Sequence, residues 1–335
     1  LTDPAGPAVT PPAPAGRRGR RDTDVGVLVQ GVRDGDPRSV GRLISLVEDA
    51  SPLLREVAAA LAPHAGRARV LGVTGPPGVG KSTTTTALVR ALRAAGQRVG
   101  VLAVDPSSPF SGGALLGDRV RMADHAGDPG VFIRSMAARG HLGGLAWATP
   151  QALRVLDAAG CDVVLVETVG VGQSELEVAA LADTTLVLLA PGAGDGIQAA
   201  KAGIMEIADV FVVNKADRDG AGGTVRELRS VLAMGDRRPG SWQPPVLRTV
   251  AVSDTGIDDV LAAVEDHRRW LESTGEGWRR RVTRAAREVE ALSLAALRDR
   301  LGDAGRPGAL ARLAEQVASG ETDPYRAADE LVGQL

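Results

Sequence analysis

The stretch that decides the fold is Val70-Leu71-Gly72-Val73-Thr74-Gly75-Pro76-Pro77-Gly78-Val79-Gly80-Lys81-Ser82-Thr83. A short β-branched run leads straight into G-x-x-x-x-G-K-[ST], and a helical pattern over 81–95 follows. In that strand–loop–helix setting the motif reads as a phosphate-binding loop. Gly75, Gly78 and Gly80, with Pro77 and Val79 among them, let backbone N–H groups turn inward, and the helix N-terminus adds its dipole. Lys81 is expected to reach the β- and γ-phosphates and the Ser82 hydroxyl to ligate Mg²⁺, with Thr83 completing the nucleotide-contacting run.

Outward from this loop the texture stays the same. Strands are expected over 70–74, 99–104, 131–135, 163–167, 185–189, 210–213 and 246–252, alternating with helical segments such as 81–95, 145–159 and 199–208. Uninterrupted apolar strands alternating with helices predict an α/β fold, a mostly parallel sheet covered on both faces, of the P-loop NTPase kind, over 67–274. Before it, residues 24–66 read as helices, with Val40, Leu43, Ile44 and Val47 at steps of three and four. Residues 1–21 are rich in Pro, Ala and Gly and end in an arginine cluster, Arg17 to Arg21, and a tail over 1–23 is expected to stay disordered. After Gly275 the strands stop, and 278–300 carries Val282, Ala285, Val289, Leu292 and Ala296 at helical spacing. Two shorter helices are expected near 307–318 and 324–334. The stripe either packs on the chain's own core or forms an arm that meets a second copy.

Composition narrows the classes. The chain has 335 residues, 39 of them Lys or Arg and 41 Asp or Glu, for a formal charge of −2. That balance argues against a general nucleic-acid binder. One cysteine, Cys161, excludes an internal disulfide framework and is the expectation for a cytoplasmic protein. Apolar runs at 163–166 and 185–190 are far short of the ~18 residues that span a bilayer, so no membrane association is expected. Only three lysines occur, Lys81, Lys201 and Lys215, and one asparagine, Asn214. In so arginine-rich a chain, positions that keep Lys or Asn are candidates for chemistry that Arg or Asp cannot do.

Asn214 and Lys215 fall in Asn214-Lys215-Ala216-Asp217, an N-K-x-D match at the end of the strand over 210–213. An Asp carboxylate at position 217 accepts from guanine N1–H and the exocyclic amine, whereas adenine would set acceptor against acceptor. The expected ligands are therefore GTP and GDP. Acidic residues at strand ends supply the expected Mg²⁺ site: Asp105 after 99–104, and Glu167 at the end of 163–167. Glu167-Thr168-Val169-Gly170 stands where many GTPases carry D-x-x-G, which makes the Gly170 N–H a candidate sensor of the γ-phosphate.

Three stretches together carry a resemblance. Val104-Asp105-Pro106-Ser107-Ser108, Gly117-Asp118-Arg119-Val120-Arg121-Met122 and Glu167-Thr168-Val169-Gly170-Val171-Gly172-Gln173-Ser174-Glu175 resemble the MeaB/ArgK family of P-loop GTPases over roughly 35–335. The resemblance implies a GTPase that guards an adenosylcobalamin-dependent acyl-CoA mutase, chiefly methylmalonyl-CoA mutase, with the isobutyryl- and ethylmalonyl-CoA enzymes as alternatives. It further implies a homodimer with a helical N-terminal extension over 24–66 and a helical dimerisation arm over 275–335. Asp105, Asp118 and Glu167 would serve Mg²⁺ and the switch region. The run from Pro191 to Lys201 would be a further switch loop, with Gln198, Lys201 and Asp118 as the catalytic candidates beside Lys81. The guanine-contacting Ser-Ala pair usual near the last strand appears here as Val250-Ala251, leaving an Ala251 N–H to meet guanine O6.

Three rivals stand beside this reading. A nickel-insertion GTPase needs clustered metal ligands, whereas His64, His125, His141 and His267 are scattered. A transport-linked kinase conflicts with N-K-x-D. A module that holds GTP without hydrolysing it is separated from a GTPase by turnover.

Overall fold

The computed structural model describes residues 24–106, 125, 127–138, 148–168, 174–192, 205–234, 240–304 and 308–333. Contacts divide these into two units: the described residues of 1–68 with those of 147–162, and the described residues of 69–146 with those of 163–335.

The first unit is helical. Helices Val25–Arg33, Pro37–Glu48 and Leu54–Leu61 and a 3₁₀ turn Ala62–His64 are joined by helix Ala148–Ala158. The sequence writes their starts: Asp24 accepts from the Val27 N–H at 3.1 Å, and Asp36 from those of Ser39 and Arg38 at 2.9 and 3.2 Å, ahead of Pro37 at the first helical position. The expected stripe Val40, Leu43, Ile44 and Val47 is buried. Helix Ala148–Ala158 packs on Pro37–Glu48 and so groups with the N-terminal helices. Its Asp157 accepts the backbone N–H groups of Gly66, Arg67 and Ala68, which fixes the end of this unit's first segment.

The second unit holds a seven-stranded sheet in the order β3-β2-β4-β1-β5-β6-β7, with every pairing parallel. The strands are β1 Arg69–Thr74, β2 Val99–Pro106, β3 Val131–Ala138, β4 Val163–Thr168, β5 Thr184–Leu189, β6 Val210–Val213 and β7 Val246–Arg248. β1, β4, β5 and β6 are buried almost end to end, which is why their sequences run apolar without alternating. Helices Lys81–Ala94 and Ile257–Thr274 share one apolar cluster with Leu71, Val73, Leu165, Leu188 and Val212. On the other face Leu189, Phe211 and Val213 pack with Val225 and Leu228 of helix Ala221–Met234. β7 is shorter than the strand expected over 246–252. Thr249 still donates to Val213 O at 3.0 Å, but the chain then doubles back through a 3₁₀ turn, Ala251–Ser253, and a left-handed Asp254, so that Val250 pairs with Thr255.

Helix Glu276–Ala304 is fastened to the sheet by two aspartates at the starts of β5 and β6. Asp209 is buried and accepts from the Thr185 N–H at 2.9 Å and from both terminal nitrogens of Arg280 at 3.1 Å. Asp183 accepts from Val70 N–H at 3.0 Å and from Arg284 at 2.9 Å. His267 completes the cluster. It is fully buried, its Nδ1 lies 2.9 Å from Thr184 Oγ1 and its Nε2 3.3 Å from Asp209 Oδ1, and its ring packs against Trp242 and Trp270. No described helix is long and apolar enough to cross a membrane.

Burial pushes the His267 imidazole below its ordinary 6.5; the attraction of Asp209 opposes this and Arg280 reinforces it. The folded protein therefore keeps this group neutral while the unfolded chain takes up a proton, and stability is lost as pH falls from 6.5 through the folded value. Denaturant midpoints measured from pH 7.5 to 5.0 should fall more steeply for the native chain than for His267→Gln. Parallel slopes would contradict it.

Candidate nucleotide site

The phosphate-binding loop sits between β1 and helix Lys81–Ala94, at the carboxyl ends of the central strands. Its first and last motif glycines are required by space. Gly75 has φ of 139° and a Cβ there would stand 2.2 Å from Leu188 O; Gly80 has φ of 95° and a Cβ would stand 2.5 Å from Asn214 Nδ2. Lys81, largely buried, donates from Nζ to Gly75 O at 2.8 Å and Pro76 O at 3.0 Å, so its charge is held inside the loop it serves. Pro77, Gly78 and Thr83 lie on the exposed rim.

The parallel register sets Glu167 beside Val73, which brings the end of β4 to the loop. There Ser82 Oγ donates to Glu167 Oε1 at 2.6 Å. On the opposite face of the sheet the buried hydroxyls of Thr74 and Thr168 lie 3.2 Å apart, tying the last residue of β1 to the last of β4.

The N-K-x-D segment follows β6 and is bound to the same loop. Asn214 is buried, and all its side-chain bonds brace neighbouring segments. Its Nδ2 donates to Val79 O at 2.9 Å, while its Oδ1 accepts from Thr249 Oγ1 and from the Ala251 N–H, both at 3.1 Å. Lys215, in the left-handed region at φ of 55°, donates from Nζ to Gly78 O at 2.6 Å. Ala216 N–H donates to Thr249 O at 3.0 Å, leaving the Asp217 side chain exposed at the rim. Arg90, on the helix that follows the phosphate loop, pairs with Asp254 beyond the 3₁₀ turn.

The structure thus brings together Gly75, Gly78, Val79, Gly80, Lys81, Ser82, Glu167, Asn214, Lys215, Asp217, Val250 and Ala251. Asp105 lies on β2, two strands from β1, and its side chain is outside the described residues, as are Asp118, Gly170, Gln198 and Lys201. Sequence reasoning missed Thr249, whose hydroxyl fixes the Asn214 amide, and the Thr74–Thr168 pair. Thr74 and Thr168 each end an apolar strand, where a hydroxyl must find a partner; Thr249, inside the strand expected over 246–252, bears no such mark. Asn214, read from the sequence as part of the base signature, also makes these three bonds to protein.

The family described as methylmalonyl-CoA mutase-associated GTPase MeaB matches residues 40–306. A relative from Pyrococcus abyssi, a GTPase by name, is 45% identical over 310 residues, which are 92% of this chain and 96% of the relative. The mouse protein named methylmalonic aciduria type A homolog, mitochondrial, is 41% identical over 209 residues, 62% of this chain and 50% of the mouse protein. Among solved structures, one described as a LAO/AO transport system kinase superposes with a TM-score of 0.69 at 28% identity, covering 92% of this chain and 96% of the other. The phosphate loop, the guanine-type motif bonded to it and a match over most of the chain agree: the chain belongs to the MeaB family of P-loop GTPases.

Proposed function

We propose that this GTPase is a timing device for an adenosylcobalamin-dependent acyl-CoA mutase, with methylmalonyl-CoA mutase as the first candidate. Binding and hydrolysis of GTP would gate the loading, protection or reactivation of the mutase's cofactor. The observation that carries the nucleotide half is the hydrogen bond from Asn214 to Val79, which makes the base-reading and phosphate-binding segments one site. The partner half rests on the family's description as mutase-associated.

In this reading Lys81 leaves its loop carbonyls to neutralise charge growing on the γ-phosphoryl oxygens, and the loop amides orient the chain of phosphates. Asp217 reads guanine N1–H and the exocyclic amine, and Lys215 supports the loop beneath. Mg²⁺ fits the donors present: Ser82 Oγ and Glu167 Oε1 are hard oxygen ligands 2.6 Å apart at the phosphate end. Asp105 and Asp118 are the further acidic candidates. Bound there, Mg²⁺ would neutralise phosphate charge and hold the phosphates in line. Gly170 would sense the γ-phosphate, and Gln198, Lys201 and Asp118 are the candidates for positioning the attacking water, a task that mutase binding would complete. Low turnover alone and faster turnover with the partner follow.

The arm reading belongs to the same proposal. Val282, Val289 and Leu292 stand exposed along helix Glu276–Ala304, the apolar stripe expected to meet a second copy. The domain limits at 24–66, 67–274 and 275–335 are proposed with it.

Two experiments test the two halves. Asp217→Asn should weaken GTP binding about 10- to 100-fold and favour xanthosine triphosphate, because the amide offers a donor to the carbonyl that xanthine has in place of guanine's amine. Equilibrium binding with both nucleotides reads this directly, and unchanged GTP affinity would sink the guanine contact. GTP hydrolysis with and without purified methylmalonyl-CoA mutase, ATP serving as control, tests the partner. Stimulation of GTP turnover alone is the expected result; GTP hydrolysis indifferent to the mutase would remove this partner.

A further inference from the structure

The aspartates at the starts of β5 and β6 are already matched in charge. Arg280 donates to both oxygens of Asp209 at 3.1 Å, Arg284 donates to Asp183 at 2.9 Å, and Arg281 lies 3.8 Å from Asp183 at the exposed edge. All three arginines belong to helix Glu276–Ala304. His267, on helix Ile257–Thr274, faces the same Asp209 from the interior. Its Nε2 lies 3.3 Å from Oδ1 and is too poorly aligned to form a hydrogen bond. The other described contacts of the ring are uncharged: Thr184 from β5, Trp270 from the same helix, and Trp242, which donates its indole N–H to Asp209 O at 2.7 Å.

The site accepts the ring in either protonation state. A carboxylate oxygen beside Nε2 selects the neutral tautomer that carries its proton there, so Nδ1 accepts from the Thr184 hydroxyl at 2.9 Å. When Nδ1 gains a proton, the hydroxyl has only to rotate and accept instead. A charged ring is also drawn into line with Asp209, because an ionised donor strengthens the bond to a carboxylate.

The positive charge is then in excess, and cations that share one carboxylate away from water repel strongly. Access to solvent decides which of them gives way. The His267 side chain is 0% exposed and that of Arg280 is 35% exposed. Only the arginine reaches water by a change of rotamer.

We propose that His267 is a proton-operated latch on helix Glu276–Ala304: the neutral ring leaves Asp209 to Arg280, and the protonated ring takes Asp209 and releases Arg280 to water. Arg284 keeps its bonds to Asp183 and to Leu181 O, so the start of the helix is loosened and stays attached. Burial, which pushes the imidazole below its ordinary 6.5, keeps the latch closed at neutral pH and opens it in mild acid. The latch goes beyond the nucleotide and mutase readings and depends on neither.

Hydrogen exchange of the full-length native chain tests it, read by peptide mass spectrometry at about pH 7.5 and about pH 5.5 with the intrinsic rate at each pH divided out. Protection over residues 279–288 should fall at least about tenfold in acid while β1 and β4 keep theirs. Arg280→Met, which keeps the stem and loses the charge, should show the low protection at both pH values. His267→Gln, which takes up no proton, should keep its protection in acid. Native protection that does not change, or a loss shared equally by helix and sheet, overturns the latch; so does a loss in His267→Gln equal to the native one. Should His267→Gln fail to fold, the other two chains still decide, since a further acid-induced fall in Arg280→Met contradicts the proposal.

Discussion

The interaction on which the site depends is the set of three hydrogen bonds made by Asn214. One side-chain amide, buried at the end of β6, ties the phosphate loop through Val79, the last strand through Thr249 and the following turn through Ala251. An amide suits the position because it donates on one side and accepts on the other. A carboxylate at 214 would set an acceptor against the Val79 carbonyl, and a buried acceptor left facing an acceptor costs about 1–3 kcal/mol. This accounts for the survival of the chain's single asparagine at a position where composition disfavours it. Gly80 belongs to the same constraint, since any side chain there would displace the Asn214 amide.

The strands that carry these loops are fixed at their other ends as well. β5 and β6 begin beside Asp183 and Asp209, which bind both the backbone of the sheet and the arginines of helix Glu276–Ala304. The arginines keep part of their surface in water while the aspartates are largely covered, so these pairs hold the helix by geometry at the strand starts. The helix that bears the exposed apolar stripe is thus bonded directly to the start of β6, the strand that leads into Asn214-Lys215-Ala216-Asp217.

Much of this was legible in the sequence because it rests on local rules. The phosphate loop declares itself by glycines at fixed spacing between a strand and a helix, and both ends of the motif prove to be positions where only glycine fits. The strands were recognisable from continuous apolar runs. Their order across the sheet was not, since a parallel pairing leaves no mark on spacing; the adjacency of Glu167 to Ser82 follows only from β4 lying next to β1. The last strand was read too long because Val250 and Val252 favour strands by type, while the turn is set by the left-handed Asp254 and the bridge to Thr255. The roles of Thr249 and Ala251 were hidden for a related reason: a hydrogen bond between residues 35 or more apart in sequence leaves no periodic signal.

The central claim is that base recognition and phosphate binding form one braced unit. Its most direct measurement is the affinity of Asn214→Ala for GDP and for inorganic tripolyphosphate, which has no base. The brace predicts that both affinities fall, each by about tenfold or more, because the amide shapes the loop that holds phosphate. Tripolyphosphate bound as tightly as by the native chain, with GDP alone weakened, would show that Asn214 serves the base only and would contradict the account.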